Sequence, residues 1–256
     1  MDEIMKVQYA SDLHIEFPEN KMFLKTNPLK PFGDTLVLAG DIVLFALLEK
    51  HNDFFSYLSD NFENTFWIPG NHEYYYYNLA DKCGTFHEKI KSNVHLLNNC
   101  SVKINDIDFL FTTLWSHIST VNQWYIRRRM NDFRVIKYND DVLSVEQYNL
   151  LHQESLGFLN KAFASVSTGK SVVVSHHAPT FMNYPTKYKD DALNEAFAVE
   201  LFNLIEQYQP DCWIYGHTHG NIKDFSIGKT RLFTNQLGYL QNREHKHFEN
   251  NKVFKI

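Results

Sequence analysis

The sequence predicts an α/β fold in which mixed β-sheets are covered by helices. Short apolar runs that are rich in β-branched residues alternate with longer runs whose apolar residues have helical spacing. The order along the chain is strand, helix, strand, helix, then hairpins and further alternation, which favours sheets with helices on their faces. A length of 256 residues suits one large α/β domain or two small ones, and we expect a single domain over residues 1–256.

The first half of the chain predicts three strands, at 7–10, 35–39 and 66–68, of which the strand at 35–39 is expected to be buried. Apolar residues at helical spacing predict a helix over 45–62. A second helix is predicted over 78–91, with Asn78 or Asp81 available to cap it. Residues 101–104 and 108–113 flank a turn of Asn and Asp, so they predict a hairpin.

The middle of the chain changes character. Residues 115–141 have no clean period and are rich in Arg, Asn and aromatic residues, which predicts a long functional loop or a small cap. The next segment, 144–163, predicts a helix, because Ser144 and Gln147 have the spacing of a capping box.

The last part returns to alternation. A buried strand is predicted at 171–174, a helix at 194–208 that Pro210 ends, and a strand at 212–215. Three closing strands are predicted at 221–227, 231–235 and 253–256.

Several features favour a cytoplasmic protein that is not in a membrane. Cys83, Cys100 and Cys212 are odd in number and widely spaced, which predicts reduced thiols. Residues 1–4 carry acid where a signal peptide would carry positive charge. The most apolar run, 42–48, is too short to cross a bilayer.

Five polar clusters follow runs that are mostly predicted strands. They are Asp12-Leu-His14, Gly40-Asp41, Gly70-Asn71-His72-Glu73, Ser175-His176-His177 and Gly216-His217-Thr218-His219. Sites in open α/β sheets form beyond the carboxyl ends of strands, where these clusters are expected. The Asp-x-His and His-x-His spacings place both side chains of a pair on one side of an extended segment.

Oxygen and imidazole donors without thiolate suit Mn, Fe, Zn or similar ions. Two such cations about 3.5–4 Å apart would clamp a phosphoryl group, and a shared carboxylate would keep them close. Asp41 is the natural candidate for that carboxylate. Each cluster alone also fits a surface pair, a turn or buried polar packing, so the prediction depends on the set.

The set resembles the calcineurin-like metallophosphoesterase, or binuclear metallophosphatase, family. That family's pattern is Asp-x-His, Gly-Asp, Gly-Asn-His-Asp/Glu, His and Gly-His-x-His, and it is complete here from Asp12 to His219. The resemblance implies a four-layer α/β/β/α sandwich of two mixed β-sheets flanked by helices. It also implies hydrolysis of a phosphate ester by a hydroxide that bridges two divalent or trivalent metal ions.

The resemblance further implies a role for each position. One metal would be held by Asp12, His14, Asp41 and His219, and the other by Asp41, Asn71, His176 and His217. His72 would be the general acid, and Glu73 would orient or tune it. His176 is expected to bind metal, while His177 would line the pocket or pack.

The substrate side is less specific. We take His177, Arg127, Arg128 and Tyr74 as candidate substrate contacts. Arginines in 127–134 could bind a second phosphate or form a solvated surface run. Aromatic residues at 115–125 could stack on a base or pack under a loop. One residue of 74–77 is expected to reach the site.

We therefore expect a metal-dependent phosphoesterase that acts on a phosphodiester of a small or nucleotide-like substrate. A phosphomonoesterase, a nuclease or a non-catalytic scaffold on the same fold are the alternatives. A net charge of -5 argues against an extended nucleic-acid surface, although a local basic pocket remains compatible with it. A degraded scaffold would lack ligands, and none is missing here.

Overall fold

The computed structural model describes residues 4–166, 169–185, 188 and 190–256. The strands are β1 Lys6–Ala10, β2 Thr35–Ala39, β3 Asn64–Ile68, β4 Phe86–Lys91, β5 Val94–Asn98, β6 Cys100–Ile104, β7 Ile107–Thr112, β8 Lys137–Tyr138, β9 Asp141–Val142, β10 Lys170–Ser175, β11 Cys212–Ile214, β12 Phe225–Ile227, β13 Thr230–Phe233 and β14 Val253–Lys255. The α-helices are α1 Pro18–Thr26, α2 Asn52–Asn61, α3 Gln123–Arg129, α4 Asp132–Val135, α5 Val145–Ser165 and α6 Phe202–Tyr208.

Two six-stranded mixed sheets organise these elements. One has the order β14-β1-β2-β3-β5-β4 and the other the order β12-β13-β11-β10-β7-β6. The inner pairs of both sheets are parallel, whereas β14, β4, β12 and β6 pair antiparallel at the edges. The parallel strands of each sheet therefore end at a common edge.

The two sheets pack face to face, and helices cover their outer faces. Strand β2 shows why, because all five of its residues are buried. Val37 and Ala39 lie in the apolar layer between the sheets, while Leu36 and Leu38 point to the opposite face, where they join a cluster that includes residues of α1 and α2. Helices α5 and α6 cover the second sheet. The predicted four-layer α/β/β/α sandwich is confirmed.

The capping box that predicted α5 is present. Ser144 Oγ accepts a hydrogen bond from the Gln147 backbone N–H at 3.2 Å, and Gln147 Oε1 accepts one from the Ser144 N–H at 2.8 Å. This reciprocal pair satisfies two backbone donors that a helix start would otherwise leave free.

The helix predicted over 78–91 is wrong. A 3₁₀ turn, Leu79–Lys82, is followed by the edge strand β4, which pairs antiparallel with β5. The spacing of apolar residues in this segment is compatible with a helix, but strand β5 supplies backbone partners that favour an extended chain. Tertiary pairing thus overrides the local pattern.

The helices predicted over 45–62 and 194–208 are each divided. Residues Phe45–His51 form a 3₁₀ helix before α2 begins. The chain between the 3₁₀ helix Ala192–Ala196 and α6 runs extended, because Val199 N–H and Leu201 N–H donate to the carbonyls of Ala178 and Pro179. Helix α1 and strand β5 were not predicted.

The segment 115–141 is more ordered than a loop. It contains α3, α4 and the small antiparallel pair β8–β9. In the described part of the chain, no helix combines the length and the apolar character needed to cross a membrane. Cys83, Cys100 and Cys212 are all unpaired thiols.

A substitution in the layer between the sheets tests this packing. Phe111 of β7 is fully buried and stacks on Phe66 of β3 with ring centroids 5.4 Å apart. We expect Phe111→Ala to lower the free energy of unfolding by about 3–5 kcal/mol, because the cavity cannot be refilled by either sheet. Phe32→Ala is the control, since Phe32 is 59% exposed. Equal losses in urea unfolding of the two variants would contradict the buried contact.

Candidate metal centre

The polar clusters from both sheets meet at one edge of the sandwich. Asp12 follows β1, Asp41 follows β2, His176 follows β10, and His217 and His219 follow β11. Four of these residues, Asp12, Asp41, His217 and His219, have φ between 48° and 71°. Non-glycine residues rarely adopt this left-handed region, and such strain clusters at functional sites.

Two glycines make the close approach of these loops possible. A Cβ on Gly40 would collide with the ring of His176, and a Cβ on Gly70 would collide with the carboxylate of Asp41. Steric contact therefore explains why a glycine precedes Asp41 and another precedes Asn71.

One group of donor atoms lies around His14 and His219. Their Nε2 atoms are 3.0 Å apart. His219 Nε2 lies 3.3 Å from Asp12 Oδ1, and His14 Nε2 lies 3.7 Å from Asp41 Oδ2. Asp12, His14 and Asp41 are buried, and His219 is partly exposed.

A second group lies around His176 and His217. His176 Nε2 is 3.0 Å from His217 Nδ1, 3.3 Å from Asn71 Oδ1 and 3.4 Å from Asp41 Oδ1. Asp41 therefore directs one carboxylate oxygen to each group. This is the position expected of a bridging residue.

The outward-facing ring nitrogens fix the orientation of all four imidazoles. The four contacts are His14 Nδ1 to Glu16 Oε1 at 3.2 Å, His219 Nδ1 to Glu244 Oε2 at 2.8 Å, His176 Nδ1 to the Ala39 carbonyl at 2.9 Å, and His217 Nε2 to the Ala196 carbonyl at 3.2 Å. Carbonyls and carboxylates only accept, so each outward nitrogen carries the proton. In the neutral rings, each inward nitrogen presents a lone pair.

The inward nitrogens face each other in two pairs at 3.0 Å, beside carboxylate oxygens. Burial opposes a charge on His219, but its hydrogen bonds with Asp12 and Glu244 outweigh burial and raise its pKa to about 10. Burial also opposes a charge on His176, and Asp41 raises its pKa to about 9. The carboxylates thus create a strong demand for positive charge at both groups, and the donor set fits cations.

His72 lies beside both groups with its ring turned toward an open cavity. Its backbone N–H donates to Asp41 Oδ1 at 2.9 Å. The ring stacks on Tyr75 with centroids 4.1 Å apart, its Nε2 lies 3.1 Å from the Tyr239 hydroxyl, and its Nδ1 lies 3.5 Å from Glu16 Oε1. Burial opposes protonation of His72, but Asp41 and Glu16 outweigh it, so its pKa is raised above the usual value.

The expected pairing of Glu73 with His72 is wrong. Glu73 is fully buried, and it accepts hydrogen bonds from the backbone N–H groups of Asp41, Ile42 and Gly70 and from the Trp67 indole at 2.7–3.1 Å. Burial and the charge of Asp41 raise the pKa of Glu73 to about 8. Glu73 therefore holds the loop that carries Asp41, while Glu16 contacts the His72 ring.

A carboxylate from the segment 115–141 orients Asn71. Asp132 Oδ1 accepts from Asn71 Nδ2 at 2.9 Å, which turns Asn71 Oδ1 toward His176. Asp132 Oδ2 accepts from the Tyr75 hydroxyl at 3.1 Å. Asp132 is buried, although it follows an arginine-rich helix in the sequence.

Four residues of the site were missed by sequence reasoning: Glu16, Asp132, Tyr239 and Glu244. Glu16 had a signal, since it continues the alternate spacing of Asp12 and His14. The other three lie in segments with no local motif.

A cavity of about 650 Å³ opens beside the two groups. Its lining includes donors of both groups, His72, the aromatic rings of Phe17, Tyr75 and Tyr239, and the apolar side chains of Leu44, Leu47 and Met130. Among the described residues that line the cavity, Arg129 is the one Lys or Arg.

Two candidate substrate contacts are buried away from this cavity. His177 is fully buried, with its Nε2 3.1 Å from the Tyr148 hydroxyl and its ring packed 4.3 Å from that of His217. Tyr74 is 1% exposed and packs edge-on against Phe45. His177 therefore packs, which was one of the two positions expected for it. The expectation for Tyr74 is corrected, because Tyr75 is the residue that stacks on His72 and lines the cavity.

The arginine that lines the cavity is neither of the two that were predicted to contact substrate. Arg127 and Arg128 are exposed and are not among the described residues that line the cavity. The Arg128 guanidinium lies 4.8 Å from the ring centre of Trp124 on the surface. Arg129 lines the cavity instead, with its guanidinium 4.5 Å from the ring centre of Tyr125.

Comparisons with known proteins agree with this site. The family model of the calcineurin-like phosphoesterases matches residues 5–221. The uncharacterized protein L509 of Acanthamoeba polyphaga mimivirus is 31% identical over 264 aligned positions, which cover 93% of this chain and 92% of that protein.

Two solved structures share the fold. A phosphopantetheinyl hydrolase from Mycobacterium tuberculosis superposes with a TM-score of 0.73 at 14% identity, covering 98% of this chain and 95% of that one. A dimetal phosphatase from Danio rerio has a TM-score of 0.51 at 12% identity, covering 100% of this chain and 99% of that one. The chain belongs to the calcineurin-like phosphoesterase family and is a metal-dependent hydrolase of phosphoric esters.

Proposed function

We propose that the protein hydrolyses a phosphodiester of a small or nucleotide-like substrate at a centre of two cations. The observation that carries this proposal is the pair of donor groups that share Asp41 at the edge of the 650 Å³ cavity. Two acceptor-rich groups with a common carboxylate suit two cations better than one.

The proposed ligands are those that the two groups bring together. Asp12, His14, Asp41 and His219 would hold one cation, and Asp41, Asn71, His176 and His217 the other. Nitrogen and oxygen donors without thiolate suit Mn, Fe or Zn. When bound, the cations would neutralise phosphoryl charge and lower the pKa of water at the site.

His72 is proposed as the general acid. Its Nε2 faces the cavity beside the Tyr239 hydroxyl, where a leaving oxygen could receive a proton. Stacking on Tyr75 and the backbone contact with Asp41 limit the motion of the ring. The side chain thus stays close to the phosphoryl position without belonging to either donor group.

The cavity supports a diester more than the alternatives. A diester has groups on both sides of phosphorus and one charge, which fits a wide cavity with apolar side chains, aromatic rings and one guanidinium. A nucleic-acid strand would require a longer basic surface, and the chain carries a net charge of -5. A phosphomonoester remains the competing substrate that the assay must include.

We also propose that residues 1–256 act as one catalytic domain in the cytoplasm. The segment 115–141 would be its cap, since Asp132 of this segment holds Asn71 and Arg129 lines the cavity. Three unpaired cysteines suit a reducing compartment.

Metal dependence can be measured directly. Chelated protein reloaded with Mn, Fe, Co, Ni, Zn or Mg should hydrolyse bis(4-nitrophenyl) phosphate and bind two equivalents of an effective metal. Asp41→Asn should bind at most one equivalent and lose about 10²-fold or more in kcat, because the shared carboxylate is gone. Asp60→Asn, on the exposed face of α2, is the control. No turnover with any of these metals would contradict the proposal.

The role of His72 predicts a separate result. With a diester whose leaving group is poor, such as methyl phenyl phosphate, His72→Ala should lower kcat by about 10²–10⁴-fold, the usual contribution of a general acid, while two metal equivalents remain bound. His247→Ala, at an exposed position, should match the wild type. Loss of a metal equivalent in His72→Ala would instead make His72 a ligand.

Arg129 predicts substrate preference. Arg129→Gln should raise KM about ten-fold or more for diesters that carry a second phosphate, since a hydrogen bond to a charged group contributes about 1.5–3 kcal/mol. Dinucleotides, cyclic nucleotides, nucleotide monoesters and a pantetheine phosphodiester form the panel. Arg127→Gln is the matched control on the same helix. Equal effects of the two substitutions would remove Arg129 from the substrate site.

A further inference from the structure

We propose that Glu16 is the positioning residue for His72, and that the same carboxylate oxygen fixes the ring of His14. This inference rests on the proposed function, because it assigns the group through which His72 is kept ready to donate a proton. Glu16 lies two residues after the Asp-x-His motif and belongs to none of the five polar clusters.

The geometry connects three side chains through one atom. Glu16 Oε1 lies 3.2 Å from His14 Nδ1 and 3.5 Å from His72 Nδ1. The two imidazole rings meet edge to face with centroids 4.5 Å apart. The Glu16 side chain is only 6% exposed, so water competes little for this oxygen.

The contacts of Glu16 differ from those of the other buried glutamate, Glu73. Its Oε2 is buried and has no hydrogen-bond partner among the described residues. Glu73, by contrast, accepts from three backbone N–H groups and an indole. Glu73 therefore holds backbone groups, whereas among the described residues Glu16 Oε1 contacts the rings of His14 and His72.

This arrangement decides which nitrogen of each ring is active. A carboxylate can only accept, so both Nδ1 atoms carry hydrogen when they face Glu16. His14 Nε2 is then directed to Asp41 and His219, and His72 Nε2 to the cavity beside Tyr239. Proton transfer moves the Nε2 proton of charged His72 to the leaving oxygen, and neutral His72 keeps its Nδ1 proton toward Glu16.

His14, Glu16 and His72 could alternatively hold a third cation, since their donor atoms lie within 4.8 Å of one another. The geometry favours positioning, because His14 would have to bind cations through both ring nitrogens. That alternative predicts a third metal equivalent, which the experiment measures.

The test compares two leaving groups. Wild type, Glu16→Gln, His72→Ala and the double variant are assayed with methyl 4-nitrophenyl phosphate and methyl phenyl phosphate, and metal content is measured for each. Phenol is the poorer leaving group and needs the proton more. We expect Glu16→Gln to lower kcat for the phenyl ester about ten-fold more than for the nitrophenyl ester.

Two further readouts separate positioning from folding. In the His72→Ala background, Glu16→Gln should add little, because the acid that it positions is absent. In zinc-loaded wild type, ring ¹⁵N signals of neutral His72 should show hydrogen on Nδ1, and Glu16→Gln should give mixed tautomers.

Glu19→Gln, exposed in the first turn of α1, should match the wild type. Glu244→Gln should weaken metal binding through His219 without changing the leaving-group ratio.

The outcomes distinguish this inference from the proposed function. If wild type does not hydrolyse either diester, the proposed function fails. If wild type is active but Glu16→Gln slows both esters equally, leaves the His72 tautomer unchanged, or removes a third metal equivalent, the positioning role of Glu16 is overturned.

Discussion

The site depends on where one carboxylate is held. Asp41 directs one carboxylate oxygen to each donor group. Its backbone has a φ of 56°, a conformation that residues other than glycine seldom adopt unless their surroundings stabilise it. Glu73 provides that support from beneath, through the N–H groups of Asp41, Ile42 and Gly70. The N–H of His72 completes it by donating to Asp41 Oδ1. Asp41, the proposed bridge, and His72, the proposed acid, are therefore held by hydrogen bonds between the loop after β2 and the loop after β3.

A second set of acids surrounds this junction. Glu16 contacts His14, Asp132 contacts Asn71, and Glu244 contacts His219. These contacts orient the donor atoms, and they add negative charge to a buried region. Cations would offset that charge, so metal binding and the stability of the folded state should be linked in this protein. The cavity beside these acids is lined by both polar and apolar side chains, among them Arg129, Asn131, Leu44 and Leu47.

Several expectations failed for a common reason. Residues 78–91 have helical spacing, yet β5 provides hydrogen-bond partners that make an edge strand. Tyr74 follows the Gly-Asn-His-Glu motif directly, yet the 3₁₀ turn His72–Tyr74 directs it into the core and leaves Tyr75 on His72. Arg129 reaches the cavity and Arg127 does not, because each side of a short helix meets a different surface. A residue pattern in one segment does not show which distant segment that segment will contact in the fold.

The sequence by itself determined the family and the reaction class. Short apolar runs predict buried strands, strand ends place the polar clusters at one edge, and the order of the Asp, His and Asn clusters matches the family's pattern. The tertiary structure alone decided how those residues are supported and which others join them. Asp132, Tyr239 and Glu244 come from segments without a motif, and they reach the site only because the sheets and loops fold together. Their roles arise from distances of about 3 Å between atoms that are far apart in the chain, and no local residue pattern can encode such distances.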